Sequence, residues 1–216
     1  MRVSRASRWA PVYWACVGAH VAGTAFGQRA LRVAAKSAMM PALAIWTRAH
    51  HGSPLLVTAL LFSCVGDTLM EAGLILPALA VYAAAHACYV ALFVRRPDRR
   101  RWRILAAYAV LGVALMAVLW PGLGELRAPV AAYSLMLTAT AVTSGWAGGR
   151  SAAGGALFLT SDSLIGARLA GWNFRHRDLL VGITYTLAQY NLAAGALPPV
   201  GKNSVTREAG WGMLAR

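Results

Sequence analysis

The stretch LLFSCVGDTLMEAG, Leu60–Gly73, sets an aspartate, Asp67, inside an apolar run that spans positions 54–71. A helix of that length approaches the roughly 20 residues needed to cross the hydrocarbon of a bilayer. A charged side chain at mid-membrane depth costs about 2.5–3.5 kcal/mol on the insertion scale, so a chain that keeps one there is expected to use it. The stretch implies a helical, membrane-embedded fold and marks Asp67 as a candidate functional residue.

Composition agrees as the reading widens. The 216 residues are 58% hydrophobic and 13% charged, against about 25% charged in average soluble domains. A net charge of +14 would point to nucleic acid in a soluble chain, but the 21 Lys and Arg cluster between apolar runs without an aromatic-basic surface motif. Nucleic acid is therefore not an expected partner; the charges read as loop residues that set topology and touch anionic membrane lipid. Cys16, Cys64 and Cys88 lie within apolar segments, where a thiol behaves as a small hydrophobe, so neither a disulfide framework nor a CxxC metal site is indicated. Residues 1–26 join a basic start to an apolar run, yet no small-residue cleavage site precedes a soluble domain, and they count as the first span. The abundance of Ala, Gly, Val and Arg suits a GC-rich bacterial genome, and with it a bacterial cytoplasmic membrane.

Apolar runs occur at 9–26, 35–49, 54–71, 74–94, 104–120, 128–146, 152–170 and 178–196, which predicts an all-α bundle of about eight transmembrane helices. With the N-terminus in the cytoplasm, 14 of the 21 basic residues fall inside, including the block RRPDRRRWR from Arg95, and both termini are expected to be cytoplasmic. Short connections predict consecutive antiparallel helices in one domain over 1–196, followed by a polar, mobile tail at 197–216. The run SGWAGGRSAAGG, Ser144–Gly155, either lets the sixth and seventh helices approach closely or forms a flexible loop.

Of seven acidic residues, Asp67 and Asp162 alone fall in the interior of predicted spans, about 13 and 10 residues from the cytoplasmic ends. At 1.5 Å per residue both are expected near mid-bilayer, at comparable depth. Glu71, four residues beyond Asp67, is expected to be a solvated helix end. Ser161 and Ser163 flank Asp162 and either donate to it or bond back to their own backbone. His86 and Tyr89 share a face of the fourth helix, Tyr185 and Gln189 a face of the eighth, and Tyr133 lies on the sixth. Such residues either serve a site or act as polar glue between helices. No GxSxG, HExxH, GxxxxGK[ST] or GxGxxG motif is present, and no metal-binding helical spacing links the carboxylates to a histidine, so neither cofactor nor metal is expected.

Taken together, Lys36 ahead of Pro41, SCVGDTLME, AHACY, LFLTSDSLIG and TYTLAQYN resemble the YhhN-like membrane family, which includes the animal lysoplasmalogenases. The order of motifs, the eight spans and the length all agree up to about residue 196. The resemblance implies hydrolysis of the vinyl ether bond of a lysoplasmalogen or related lysolipid, releasing a fatty aldehyde and a glycerophospho-alcohol such as glycerophosphocholine or glycerophosphoethanolamine. Its catalytic residues would be Asp67 and Asp162, with Lys36, His86, Tyr89, Tyr133, Ser161, Tyr185 and Gln189 binding substrate or orienting groups. Lys36, Arg168 or Arg175 would meet the lipid phosphate. Two carboxyls in one low-dielectric site do not readily both ionise, so they would divide into a proton-bearing acid and an ionised partner, as in glycosidases. The alternative is a multi-spanning carrier or channel in which the Asp pair relays protons or cations.

Overall fold

The computed structural model describes residues 9–94 and 101–198. Among these residues the chain forms eight α-helices: α1 Trp9–Ala25, α2 Arg29–Ala49, α3 Pro54–Glu71, α4 Ile75–Phe93, α5 Arg101–Leu119, α6 Arg127–Ala147, α7 Gly149–Leu169 and α8 Arg177–Ala196. A 3-10 segment, Trp120–Leu126, joins α5 to α6. Asp98, Glu208 and most of the expected tail lie outside the described residues.

Local chemistry accounts for several boundaries. Ser53 accepts a hydrogen bond from the backbone N–H of Leu56 at 3.3 Å, and Pro54 opens α3 where its missing N–H costs nothing. Pro77 and Pro129 likewise sit in the first turns of α4 and α6. The α6–α7 turn places Gly148 and Gly149 at φ values of 72° and 51°, which residues with a Cβ rarely adopt. The second helix differs from expectation. It begins at Arg29 rather than near position 35, with Arg29, Arg32 and Lys36 spaced along one face of the added turns.

Helices α1, α2, α3, α4, α6, α7 and α8 pack in that order into a ring that closes where α8 meets α1. α5 stands outside the ring, chiefly against α6, and buries only Leu119. The small-residue run expected at the α6–α7 junction is helical within α7 and serves two neighbours. A Cβ on Gly155 would lie 3.1 Å from the Cα of Ala141 in α6, and one on Gly154 would lie 2.7 Å from the backbone nitrogen of Leu192 in α8.

The polar groups point inward. α3 buries Ser63, Gly66 and Asp67, α4 buries Tyr82, His86 and Tyr89, and α8 buries Tyr185 and Gln189. Apolar side chains such as Val110 and Val113, at 70% and 71% exposure, face outward, an arrangement suited to lipid. Three helical stretches among the described residues are long and apolar enough to cross a membrane: Pro54–Glu71, Ile75–Phe93 and the continuous stretch Arg101–Ala147 that holds α5 and α6.

Candidate active site

Asp67 lies in the last turn but one of α3, which runs over the expected span and stops at Glu71. Its carboxylate is buried and held from three directions. Tyr82 donates to Oδ1 at 2.7 Å, Tyr185 donates to Oδ2 at 2.9 Å, and Lys36 Nζ stands 3.3 Å from Oδ1. The preceding glycine makes this possible: the Tyr82 ring lies over Gly66, where an added Cβ would come within 2.7 Å of Cε1. Glu71, expected to be solvated, instead pairs with Arg32 at 2.9 Å and Lys36 at 3.7 Å. The basic face of α2 thus clamps the acidic end of α3.

Asp162 is held differently. Tyr133 donates a hydrogen bond to its Oδ2, and among the described residues no Lys or Arg makes an ion pair with it. The Tyr133 oxygen also meets His86 Nε2 at 3.0 Å, while His86 Nδ1 meets the Thr140 hydroxyl at 3.0 Å. With the tyrosine proton directed at Asp162, Nε2–H donates to Tyr133 and Nδ1 accepts from Thr140, which fixes one tautomer. Phe158 and Tyr133 flank the imidazole, with ring centroids 4.7 and 5.4 Å away.

Gln189 supports the Asp67 side. Its Oε1 accepts from Tyr89 at 2.5 Å, and its Nε2 donates to Ser63 Oγ at 3.0 Å and to the Tyr185 oxygen at 3.2 Å. Every polar atom of the amide group is engaged, and Tyr185 is left with its proton for Asp67.

Both aspartates line one cavity of about 450 Å³. Its lining includes Lys36 together with Arg29, Arg32, Arg168 and Arg177, the last four from helix ends on the same side of the bundle. Its apolar lining includes Leu115, Met116 and Leu119 of α5, Val130 and Leu137 of α6, and Leu159 of α7. Lys36, Asp67, Tyr133, Asp162 and Tyr185 therefore reach the cavity, as does Arg168. His86, Tyr89 and Gln189 stand behind it and act through tyrosines, whereas the Ser161 hydroxyl bonds the carbonyl of Val181 at 3.4 Å and Arg175 is not part of the wall. Sequence reasoning missed Tyr82, although Tyr82, His86 and Tyr89 repeat at helical spacing along one face of α4. It also missed Thr140, Ser63 and the pairing role of Arg32.

The model of the YhhN family matches residues 31–196, a range that holds both aspartates and each of their hydrogen-bonding tyrosines. This chain belongs to the YhhN family. Human lysoplasmalogenase TMEM86B is 34% identical over 157 residues, covering 71% of this chain and 69% of that protein. No solved structure matches. Membership in the YhhN family and the apolar spans together make this an integral membrane protein.

Proposed function

We propose that this YhhN protein is a membrane-embedded hydrolase that cleaves the vinyl ether bond of lysoplasmalogens or a closely related lysolipid. The observation that carries the reading is one cavity whose lining joins two unlike carboxyl groups to basic side chains and to a set of apolar ones. A lysolipid has the same division: a charged head, a reactive ether near the glycerol, and one hydrocarbon chain. The similarity to a protein named lysoplasmalogenase supports the same chemistry.

Asp67, beside Lys36 and two hydroxyl donors, is suited to remain ionised, since an opposite charge and hydrogen bonds both favour a carboxylate. Among the described residues Asp162 has no cation partner, and it is assigned as the acid. Its proton passes to the β carbon of the vinyl ether, and the α carbon becomes an oxocarbenium ion stabilised by Asp67. Water adds there and gives a proton to Asp67, forming a hemiacetal. Collapse returns the hemiacetal hydroxyl proton to Asp162 while Asp67 protonates the departing glycerol oxygen. Substrate and one water become aldehyde and glycerophospho-alcohol, and both acids regain their starting states.

In the same reading the eight helices all span the membrane as one domain over residues 1–196, with both termini cytoplasmic in a bacterial inner membrane. The helix ends that bear Arg29, Arg32, Arg168 and Arg177 then face the opposite side. Purified protein incubated with a lysoplasmalogen and assayed by mass spectrometry for aldehyde tests the function. Aldehyde release that disappears in Asp67→Asn supports it. Release from no ether lysolipid would return the Asp pair to the carrier reading.

A further inference from the structure

We infer that His20 of α1 reads the free sn-2 hydroxyl of the lysolipid, accepting its hydrogen bond at Nε2 and so favouring lysolipids over glycerol lipids that lack that hydroxyl. This rests on the lysolipid reading above and assigns a specificity-determining residue to that site. His20 lies ahead of residues 31–196, the range that matches the family model. The proposed reaction gives it no role, yet it is a polar side chain, 6% exposed, on the wall of the cavity that holds both aspartates.

The ring is held so that one nitrogen is engaged and the other is open. α1 and α2 approach closely at Gly23, where an added Cβ would lie 2.7 Å from the backbone nitrogen of Arg32. Three residues earlier on the same face, His20 Nδ1 meets the Arg32 carbonyl oxygen at 3.2 Å. A carbonyl only accepts, so Nδ1 carries the proton, and in the neutral ring Nε2 is left as an acceptor. Nε2 has no hydrogen-bond partner among the described residues. Against it stands Gly182 of α8, also on the cavity wall, where an added Cβ would come within 3.0 Å of Nε2. A larger residue there would cover the nitrogen; glycine leaves it open. A buried acceptor without a donor is a cost that a ligand hydroxyl removes.

Position selects the ligand group. His20 is five residues from the end of α1 at Ala25, and Asp67 is four from the end of α3 at Glu71, both ends lying where α2 begins. At about 1.5 Å per residue the two side chains stand at nearly the same depth. Arg32, whose carbonyl holds Nδ1, is one turn from Lys36, and Gly182 is one turn from Tyr185; Lys36 and Tyr185 both bind Asp67. A vinyl ether presented to the carboxyls therefore brings the neighbouring sn-2 carbon to this level of the wall. Both oxygens of Asp67 are taken, Oδ1 by Tyr82 and Lys36 and Oδ2 by Tyr185, whereas His20 Nε2 is open. The sn-2 hydroxyl is a neutral donor matched to that neutral acceptor. An ester or a methylene in its place offers no proton and leaves Nε2 unpaired.

The test measures binding, so it is read independently of turnover. Full-length protein in a hydroxyl-free amine-oxide detergent is titrated calorimetrically with two non-hydrolysable 1-O-alkyl glycerophospholipids of one chain length and one head group. One carries the sn-2 hydroxyl and the other has hydrogen in its place. The hydroxyl lipid should bind about ten-fold tighter, the scale of a buried acceptor left unpaired. His20→Asn sets an amide N–H where Nδ1–H was, keeping the Arg32 contact while deleting Nε2, and should bind the two lipids alike. Gly182→Ala, which closes over Nε2, should erase most of the preference as well. His20→Gln, which puts an amide oxygen near the place of Nε2, should recover part of it. Equal affinity of the unaltered protein for the two lipids, or a preference that persists in His20→Asn, would overturn the inference. So would an equal loss for both lipids, which would make His20 a pin between α1 and α2 and nothing more. If His20→Asn is not monodisperse, Gly182→Ala is read in its place by the same criteria. A hydroxyl preference that depends on His20, without aldehyde release from any vinyl ether lysolipid, would keep the contact and remove the hydrolase reading; aldehyde release with no such preference would do the opposite.

Discussion

Asp67 and Asp162 meet the same cavity from opposite supports. Asp67 is gripped by Lys36 and two tyrosines, and Lys36 is itself part of a chain of charges that runs through Glu71 to Arg32. Asp162 has a single tyrosine, backed by a neutral histidine–threonine pair rather than by a cation. Burial alone would drive both carboxyls toward the same behaviour; their neighbours separate them. The α2–α3 side stabilises a negative charge, and the α4–α6 side steers a carboxyl without compensating one. Two identical side chains can thereby take the two roles that acid-catalysed ether cleavage requires.

The strongest way to break this comparison is to remove either carboxyl. Asp67→Asn and Asp162→Asn keep size while deleting both proton and charge, and each should lower turnover by about 10³-fold or more, with the double variant scarcely worse than either single one. Initial rates on monodisperse protein measure this, and additive losses would mean that the two groups do not act together. The roles also predict the pH response. An acid must enter each cycle protonated, so turnover should fall as pH rises through the titration of the donor, and a flat profile into alkaline conditions would contradict acid catalysis by Asp162.

Lys36 tests the asymmetry directly. Lys36→Met removes the cation from Asp67 and leaves Asp162 with its tyrosine, so turnover should drop by about 10²-fold, with the loss in kcat rather than KM. Lys36→Arg should recover part of it. If the methionine variant turned over normally, the charge on Asp67 would not depend on the α2 clamp.

A smaller effect is expected at Gly66. An alanine there would drive its Cβ into the Tyr82 ring at 2.7 Å, and since that ring is buried it must shift away from Asp67. Gly66→Ala should reduce turnover by about ten-fold, the value of one hydrogen bond to a charged group. Tyr82→Phe should do the same, and combining them should add little. Full additivity would show that Gly66 matters for helix packing instead of for Tyr82.

How much of this was legible in the sequence depended on what each residue signals alone. Asp67 and Asp162 were readable because a carboxylate inside an apolar run is costly wherever the helix ends up packing. The start of α2 was not, since Arg29 and Arg32 lower the hydropathy of a segment whose charges are neutralised or used only once α3 and the cavity are beside it. The place of α5 was equally hidden: its apolar residues surround the helix, so no face marks the side that meets α6. Tyr82 had a readable signal, a shared face with His86 and Tyr89, but its partner lies 15 residues away on another helix, and spacing within one helix cannot supply that contact.

Ser161 gives the smallest expected effect and the sharpest contrast with its neighbour. It adjoins Asp162 in sequence, yet successive residues on a helix point in directions about 100° apart. Asp162 faces the cavity, while the Ser161 side chain is fully buried toward α8 and reaches the Val181 carbonyl at a long 3.4 Å. Ser161→Ala removes one weak hydrogen bond whose acceptor already lies within a helix, so it should cost about 1 kcal/mol of stability at most and leave turnover within about two-fold. A thermal melt and an initial rate on the same preparation separate the two quantities. A large loss of rate with an unchanged melt would mean that the serine hydroxyl turns toward Asp162 during the reaction, giving the acid the second donor that it lacks in this structure and narrowing the difference between the two carboxyls.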